Sequence, residues 1–226
     1  VLDAICSYLP SPKDKGKIMI HRDGAQETLE PDESEPLSAL VFRTSTDPYV
    51  GKMNYLRVFS GIINSDSSVW NASRGKVERI GQLYMMRGKA QEPTPRIVAG
   101  DIGVVTKLTE TRTGDTLTSQ ERPVLFAPIE FPVPTLSVSI HPKTKADFDK
   151  LGTVLAKLNE EDPSLRIRKD VDTGETILSG YGEAQLEVIA DKMKRKFSLE
   201  AELATPRIPY KETITVPIKA EYKHKK

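Results

Sequence analysis

The sequence predicts a mostly β domain followed by an α+β domain whose elements run β-α-β-β-α-β. From Leu37 to Phe131, short runs rich in β-branched and aromatic residues alternate with Gly, Asp, Asn and Pro. From Leu136 onward, two amphipathic helical patterns are interleaved with strand-length segments. A chain of 226 residues with 38% hydrophobic and 29% charged residues is long enough for two domains, each with its own core.

The first 36 residues are predicted to be the end of a helix and a linker. Leu2, Ile5 and Leu9 recur at i, i+3 and i+7 before two prolines end the pattern. We expect this helix to be the last part of a preceding domain. Residues 13–36 are polar and rich in Asp, Glu, Lys and Gly, which indicates a linker or a surface excursion.

Residues 37–131 are predicted to form a small closed β-barrel. Evenly spaced strands and turns suit a barrel because closure leaves no unpaired edge. The runs predicted as strands are LSALVFR, YLRVFSGII, SSVWN, KVERIGQLYMM, IVAGDIGVVTKL and TLTS.

Residues 132–204 are predicted to form the α+β domain. Its first strand alternates apolar residues with serines from Leu136 to Ile140. Thr144 and Asp147 have the spacing of a capping box and open the first helix. The side chains predicted to form the buried face of this helix are Phe148, Leu151, Leu155 and Leu158.

The second half of this domain is predicted to contain two strands, a second helix and a last strand. Two strands, Leu165–Lys169 and Glu175–Ser179, flank a turn, and Gly180 and Gly182 bracket the reversal into a second helix. The last strand follows at Leu199 to Leu203. The order is that of the split βαβ, ferredoxin-like fold. The second helix is predicted to bury Leu186, Ile189, Ala190, Met193 and Phe197.

Composition excludes several function classes. A net charge of +1 gives no global field for binding polyanions, and the single Cys6 excludes an internal disulfide framework and suits a reducing cytoplasm. The apolar runs are too short to span a bilayer, so we expect no membrane partner.

No catalytic, cofactor-binding or metal-binding residue is predicted within this chain. A phosphate cradle of the form GxxxxGK[ST] is absent, and the DxxG match at residues 149–152 falls inside the first predicted helix of the α+β domain. The histidines are isolated in sequence. Glu160 and Glu161 are interpreted as a solvent-exposed helix end, not as an acid and base pair.

Six segments in order, LRVFSGII, AGDIG, TGDTL, HPKTKADFDKL, ILSGYGEAQLEV and YKETI, resemble bacterial elongation factor G. The resemblance covers nearly the whole chain. It implies a translation-factor β-barrel (domain II) at residues 37–131, a ferredoxin-like domain (domain III) at 132–204 and the start of domain IV at 205–226, with the GTPase domain missing.

The resemblance also implies a function. The chain would be the ribosome-docking and conformational-coupling part of a cytoplasmic factor that promotes GTP-dependent translocation. Its partners would be small-subunit ribosomal RNA, ribosomal proteins and its own GTPase and C-terminal domains. GTP and Mg would bind in the missing GTPase domain and no cofactor would bind here.

Two alternatives stay open. The family usually has a sequence like GMGELHLE before the second helix of domain III, and Tyr181, Ala184 and Gln185 depart from it. A paralogous GTPase that recycles ribosomes or protects them from tetracycline is therefore an alternative. A self-contained RNA-binding module without a GTPase partner is the other.

Two sets of candidate residues follow. The first set carries positive charge on the barrel or on domain III and would contact ribosomal RNA phosphates. Its members are Arg57, Lys76, Arg79, Lys143 and Lys145.

The second set lies around the turn before the second helix of domain III and would couple this domain to the GTPase domain or the ribosome. For Gln185 the alternative interpretation is that its side chain caps local backbone. The set consists of Gly180, Gly182, Glu183 and Gln185.

Overall fold

The computed structural model of the chain describes residues 1–22, 24–47 and 50–225. The chain opens with two short helices, α1 (Leu2–Tyr8) and α2 (Pro12–Lys15). The apolar stripe of α1 is exposed throughout. At α2, the Ser11 hydroxyl accepts the amide of Asp14, and the Asp14 carboxylate accepts the amide of Ser11, which makes a complete capping box.

The segment at residues 13–36 is structured, contrary to the expected linker. Strands β1 (Ile18–Arg22) and β2 (Ala25–Leu29) form an antiparallel hairpin. Ile20 and Leu29 are buried in a small core of their own with Val124 and Phe126. Ile18 also packs against this core, as do Leu40 and Phe59 of the barrel domain, so a few apolar residues fix the hairpin to that domain. So few apolar residues in a polar segment do not predict strands from the sequence alone.

The barrel domain is built on an eight-stranded antiparallel sheet in the order β7-β6-β12-β3-β4-β11-β8-β9, with a separate ladder of β5 and β10. Ile63 of β5 and Ile97 of β10 share one buried cluster with Val41, Leu56 and Leu117 of the large sheet, so both ladders enclose a single core. The strands are β3 (Ser38–Asp47), β4 (Gly51–Ser60), β5 (Ile62–Asn64), β6 (Ser68–Asn71), β7 (Lys76–Arg79), β8 (Leu83–Arg87), β9 (Ala90–Thr94), β10 (Arg96–Val98), β11 (Ile102–Thr106) and β12 (Thr116–Thr118).

The second domain has the predicted ferredoxin-like order. Its antiparallel sheet runs β14-β15-β13-β16, and the buried faces of two helices form a core against it. The elements are β13 (Leu136–Pro142), α3 (Lys145–Glu161), β14 (Arg166–Lys169), β15 (Thr176–Gly180), α4 (Glu183–Phe197) and β16 (Ala201–Ala204). None of the helices in the described residues is long and apolar enough to cross a bilayer.

The buried face of α3 differs from the prediction at its first turn. Phe148, which was predicted to be buried, is 64% exposed. Further along the helix Val154, which was not in the predicted buried face, is 6% exposed and packs in the core. The turn is occupied instead by Asp147, whose carboxylate accepts the Thr144 hydroxyl and the Glu200 amide. The hydrogen bond from the Thr144 hydroxyl holds the pKa of Asp147 below its ordinary value, although burial opposes this shift.

Candidate functional site

The barrel and the ferredoxin-like domain meet at the C-terminus of α3. Glu161, the last residue of α3, accepts the backbone amide of Thr46 near the end of β3 at 2.8 Å. Its side chain is 7% exposed and forms ion pairs with Lys196 and, at 3.9 Å, with Lys192 of α4. One carboxylate therefore joins the barrel to both helices of the second domain.

A second ion pair lies beside this contact. Lys52 of β4 and Glu160 of α3 approach to 3.5 Å. Both groups line a cleft of about 460 Å³ between the two domains, together with Lys196 and Phe197. The ammonium of Lys157 lies 5.8 Å from the centroid of the Phe197 ring, on the same side of the junction.

The interpretation of Glu160 and Glu161 as a solvent-exposed helix end is wrong. Helix α3 does end there, but the barrel covers its terminus. The partner amide of Thr46 lies 115 residues away in sequence. No local pattern could identify that contact.

The two glycines before α4, Gly180 and Gly182, do not adopt the left-handed backbone conformation that favours glycine. Neither Gly180 nor Gly182 has a positive φ, and Gly182 is extended at φ −179°. A Cβ at Gly180 would lie 2.5 Å from Oε1 of Gln185 and 3.0 Å from Cδ2 of Leu186, whereas one at Gly182 would meet nothing within 4 Å. A Cβ at Gly180 would thus force the side chain of Gln185 to move, whereas one at Gly182 would displace nothing.

Gln185 lies half-buried in the first turns of α4 and makes three hydrogen bonds inside its own domain. Its Oε1 accepts the Tyr181 amide at 2.9 Å, and its Nε2 donates to Asp162 at 2.8 Å and to Ser164 at 2.9 Å. These contacts are those of a side chain that caps local backbone and ties α4 to the loop after α3. A role in coupling stays a prediction.

Glu183 is exposed in the first turn of α4, where the helix dipole favours an acidic side chain. The basic residues at the other end of α4 are largely neutralised. Lys194 pairs with Glu200 at 3.4 Å, and Arg195 pairs with Asp191 one turn earlier. Each of these cations has a carboxylate partner, and Glu161 and Glu200 are each shared by two cations.

The barrel cations lie in three different surroundings. Arg57 of β4 is half-buried, with its guanidinium 5.3 Å from the centroid of the Phe59 ring. Lys76 of β7 pairs with Glu110 at 3.0 Å. Arg79 is exposed and lines a separate hollow that Arg57 and Lys76 do not reach. The structure does not bring these residues together into one site.

The two lysines of the ferredoxin-like domain also differ. Lys143 pairs with Glu200 at 3.1 Å. Lys145 begins α3 and is exposed, and no carboxylate partner for it is found in the part of the chain that the structure describes. Arg79 is likewise exposed, and no carboxylate partner for it is found among the described residues. These two cations are therefore the freest of the five candidates for phosphate contact.

Sequence reasoning overlooked a polar cluster formed by β13 and the residue before β15. The Ser139 hydroxyl lies 2.9 Å from Nε2 of His141, which is 3.7 Å from Glu175. Both contacts use the same ring nitrogen, so the acid does not orient the imidazole as a hydrolytic triad requires. Glu175 instead binds the amide and Nε of Arg207 at 2.9 Å each, which fixes the chain after β16.

A buried carboxylate organises one barrel loop. Glu78 is 4% exposed and accepts the amides of Glu110 and Thr111 at 2.8 and 2.7 Å. Burial alone would raise the pKa of Glu78, but the hydrogen bonds from Thr111, Glu110 and Thr109 outweigh it and lower that pKa. Within the described residues, no group of three His, Cys, Asp or Glu side chains is arranged to hold a metal ion.

Comparisons with known proteins agree with this architecture. A family model described as elongation factor G domain 2 matches residues 36–120, and one described as elongation factor G, domain III, matches residues 131–205. A crystal structure of a protein from Thermus thermophilus is 31% identical in sequence over 92% of this chain, with a TM-score of 0.73. The chain spans 29% of the length of that protein.

Proposed function

Because this chain belongs to the elongation factor G family, through its barrel and ferredoxin-like domains, we propose that it docks a GTP-dependent translocation factor on the ribosome and couples its domains. The observation that carries the proposal is the junction at Glu161. One ion pair, Lys52 with Glu160, and one amide contact, from Thr46 to Glu161, cross it. Polar interfaces of this kind accept alternative packings more readily than large apolar ones.

The coupling would work through rigid bodies. Each domain has its own buried core, so a force on one domain moves it as a unit. The contacts of Glu161 and Lys52 would then change as the nucleotide state changes. On this proposal GTP and Mg bind in a GTPase domain outside the chain, and the whole factor works in the cytoplasm.

Small-subunit ribosomal RNA and ribosomal proteins would be the docking partners. Arg79 and Lys145 are exposed and are the best placed of the candidate cations to contact phosphates. Lys76 and Lys143 would have to exchange a carboxylate partner for a phosphate. Removing one cation that binds a phosphate should flatten the dependence of log K on log salt by about 0.7 to 0.9.

The test uses the intact factor with pre-translocation ribosomes. We expect GTP, and not GDP, to support movement of the messenger RNA by one codon, followed with a fluorescent label at its 3′ end. Subunit splitting without messenger movement would replace translocation by recycling, and rescue of tetracycline-stalled ribosomes alone would replace it by protection. Failure to bind ribosomes would refute the docking role altogether.

The coupling role is tested with Glu161→Gln in the same assay. The variant should bind ribosomes with unchanged affinity and translocate more slowly, because a neutral amide oxygen accepts the Thr46 amide more weakly than the carboxylate does. Glu187→Gln, an exposed change on α4, is the matched control. Equal rates for both variants would remove the junction from the mechanism.

A further inference from the structure

A small cavity of about 120 Å³ lies between β4 and the segment that carries α2. Two cationic side chains, Arg57 and Lys15, reach it, and its apolar wall includes Ile18 and Phe59. None of the residues that line it carries a carboxylate. The cavity therefore combines positive charge with an apolar wall.

Arg57 carries the strongest signal in this cavity. Its guanidinium lies over the ring of Phe59, two residues along the same face of β4. Its Nε is buried and has no hydrogen-bond acceptor among the described residues. This N–H is closed to water, so the part of Arg57 that lines the cavity is the rest of its side chain, which brings the guanidinium charge to a space with no carboxylate among its lining residues.

The walls of the cavity are fixed in advance. Gly100, at φ 98°, donates its amide to the Val58 carbonyl at 2.8 Å and approaches Pro12 so closely that a Cβ would lie 3.0 Å from it. The capping box of Ser11 and Asp14 holds the turn that bears Lys15. A pocket whose shape exists before binding loses little entropy when a ligand enters.

We propose that this cavity binds a carboxylate group on a short apolar stem, with Arg57 and Lys15 holding the charge and Phe59 and Ile18 covering the stem. At about 30 Å³ for each water in the liquid, the volume equals that of about four waters. Two or three methylenes and a carboxylate fit, whereas a nucleotide does not. The carboxylate has two possible sources, a free organic acid or a Glu side chain of a partner protein.

The experiment follows the Arg57 Nε–H resonance by NMR in the whole chain, with glutarate as the probe and chloride keeping the ionic strength constant. We expect saturable shifts of this resonance with a Kd on the order of millimolar, as for other small ligands with few contacts. Arg57→Lys keeps the charge but loses the planar guanidinium with its several N–H donors. The Kd of this variant for glutarate, obtained from the rise in melting temperature with glutarate concentration, should therefore be at least about tenfold higher than that of wild type. Arg79→Lys, outside the cavity, should behave as wild type.

Three outcomes decide the proposal. If the Arg57 resonance does not respond to glutarate, or if Arg57→Lys and Arg79→Lys bind equally well, the site is wrong. If inorganic phosphate binds as tightly with the same dependence on Arg57, the assignment to a carboxylate is wrong. Should Arg57→Lys fail to fold, Lys15→Gln, an exposed change in the same lining, should still weaken glutarate binding several-fold.

The two sources are separated by a second titration. A tripeptide Ala-Glu-Ala, blocked at both ends, presents the same carboxylate on a backbone. Binding of this peptide at least as tight as that of glutarate supports a protein partner. Binding of glutarate alone supports a free acid.

Discussion

Replacing Gln185 by Ala removes three hydrogen bonds that tie the first turns of α4 to the Tyr181 amide and to the loop after α3. A hydrogen bond contributes about 0.5 to 1.5 kcal/mol net, and one to a charged group such as Asp162 contributes more. Water replaces part of this at a half-buried site. We therefore expect the ferredoxin-like domain to lose about 2 kcal/mol and its melting temperature to fall by about 8 to 16 °C.

The chain offers a separate signal for each domain. Both long helices lie in the ferredoxin-like domain, so helical circular dichroism reports on that domain, whereas the single Trp70 reports on the barrel. We expect Gln185→Ala to lower the urea midpoint of the helical transition more than that of the Trp70 transition. Glu187→Ala, on the exposed face of the same helix, should change it by less than about 0.5 kcal/mol. If the helical transition has the same urea midpoint in Gln185→Ala and Glu187→Ala, the hydrogen bonds of Gln185 do not stabilise this domain.

The crowding at Gly180 gives a second check on the same contact. Gly180→Ala places a Cβ 2.5 Å from Oε1 of Gln185, so part of its cost should disappear once Gln185 is already Ala. A double-mutant cycle should show a coupling of about 1 kcal/mol. Gly182→Ala should be nearly neutral, because its extended backbone suits any residue and the space is open. A cost of Gly180→Ala independent of residue 185 would contradict the geometry.

Three further predictions concern carboxylates. Glu161→Ala should separate the helical transition from that of Trp70 fluorescence, since it breaks the contact between domains. Glu78→Gln should lower barrel stability by about 2 kcal/mol, seen by Trp70 fluorescence, because an amide donor then faces the backbone amides that the carboxylate accepted. Hydrogen bonds lower the pKa of Asp147 and of Glu175 in the folded state. The stabilisation from these carboxylates is therefore present above their ordinary pKa values of 3.8 and 4.5, and it is lost as the pH falls through the lowered folded-state values. Urea titrations should find the free energy of unfolding constant above about pH 5 and falling below about pH 4.

Matched controls keep these results specific. Glu202→Ala, exposed on β16, should leave the two transitions as they are in wild type. Glu110→Gln, in a surface ion pair with Lys76, should cost less than about 1 kcal/mol. A drop in stability between pH 7 and 6 would contradict the assignment of the pH dependence to carboxylates.

The ferredoxin-like domain was predictable because each of its elements carries a complete local pattern. Val138 and Ile140 of β13 and the apolar stripe of α4 at Leu186, Ile189 and Met193 lie in the core as predicted. The alternation of β13 is incomplete, because Leu136 is exposed and Ser139 is buried. Strand β9 was missed in the barrel. It contains Pro93 and lies at the edge of its sheet, where a missing N–H is tolerated, and a proline in a polar run favours a loop when only the sequence is known.

The candidate site was less predictable, because its contacts join residues that are distant in sequence. Gln185 was recognised as a departure from its family pattern, but its partners Asp162 and Ser164 lie on another loop. Arg57 and Arg79 had the same appearance in sequence, and only burial separates them. Spacing identifies which face a residue occupies, whereas the neighbours of that face depend on tertiary packing.

The arrangement around Glu161 has a consequence for how the two domains can part. Its ion pairs to Lys192 and Lys196 belong to its own domain, while its hydrogen bond to the barrel, within the described residues, is to the amide of Thr46. Separation of the domains would therefore expose the neutral N–H of Thr46 to water and leave the carboxylate of Glu161 paired with its two lysines. Opening the junction at this point therefore avoids the large cost of leaving a buried carboxylate without a cationic partner.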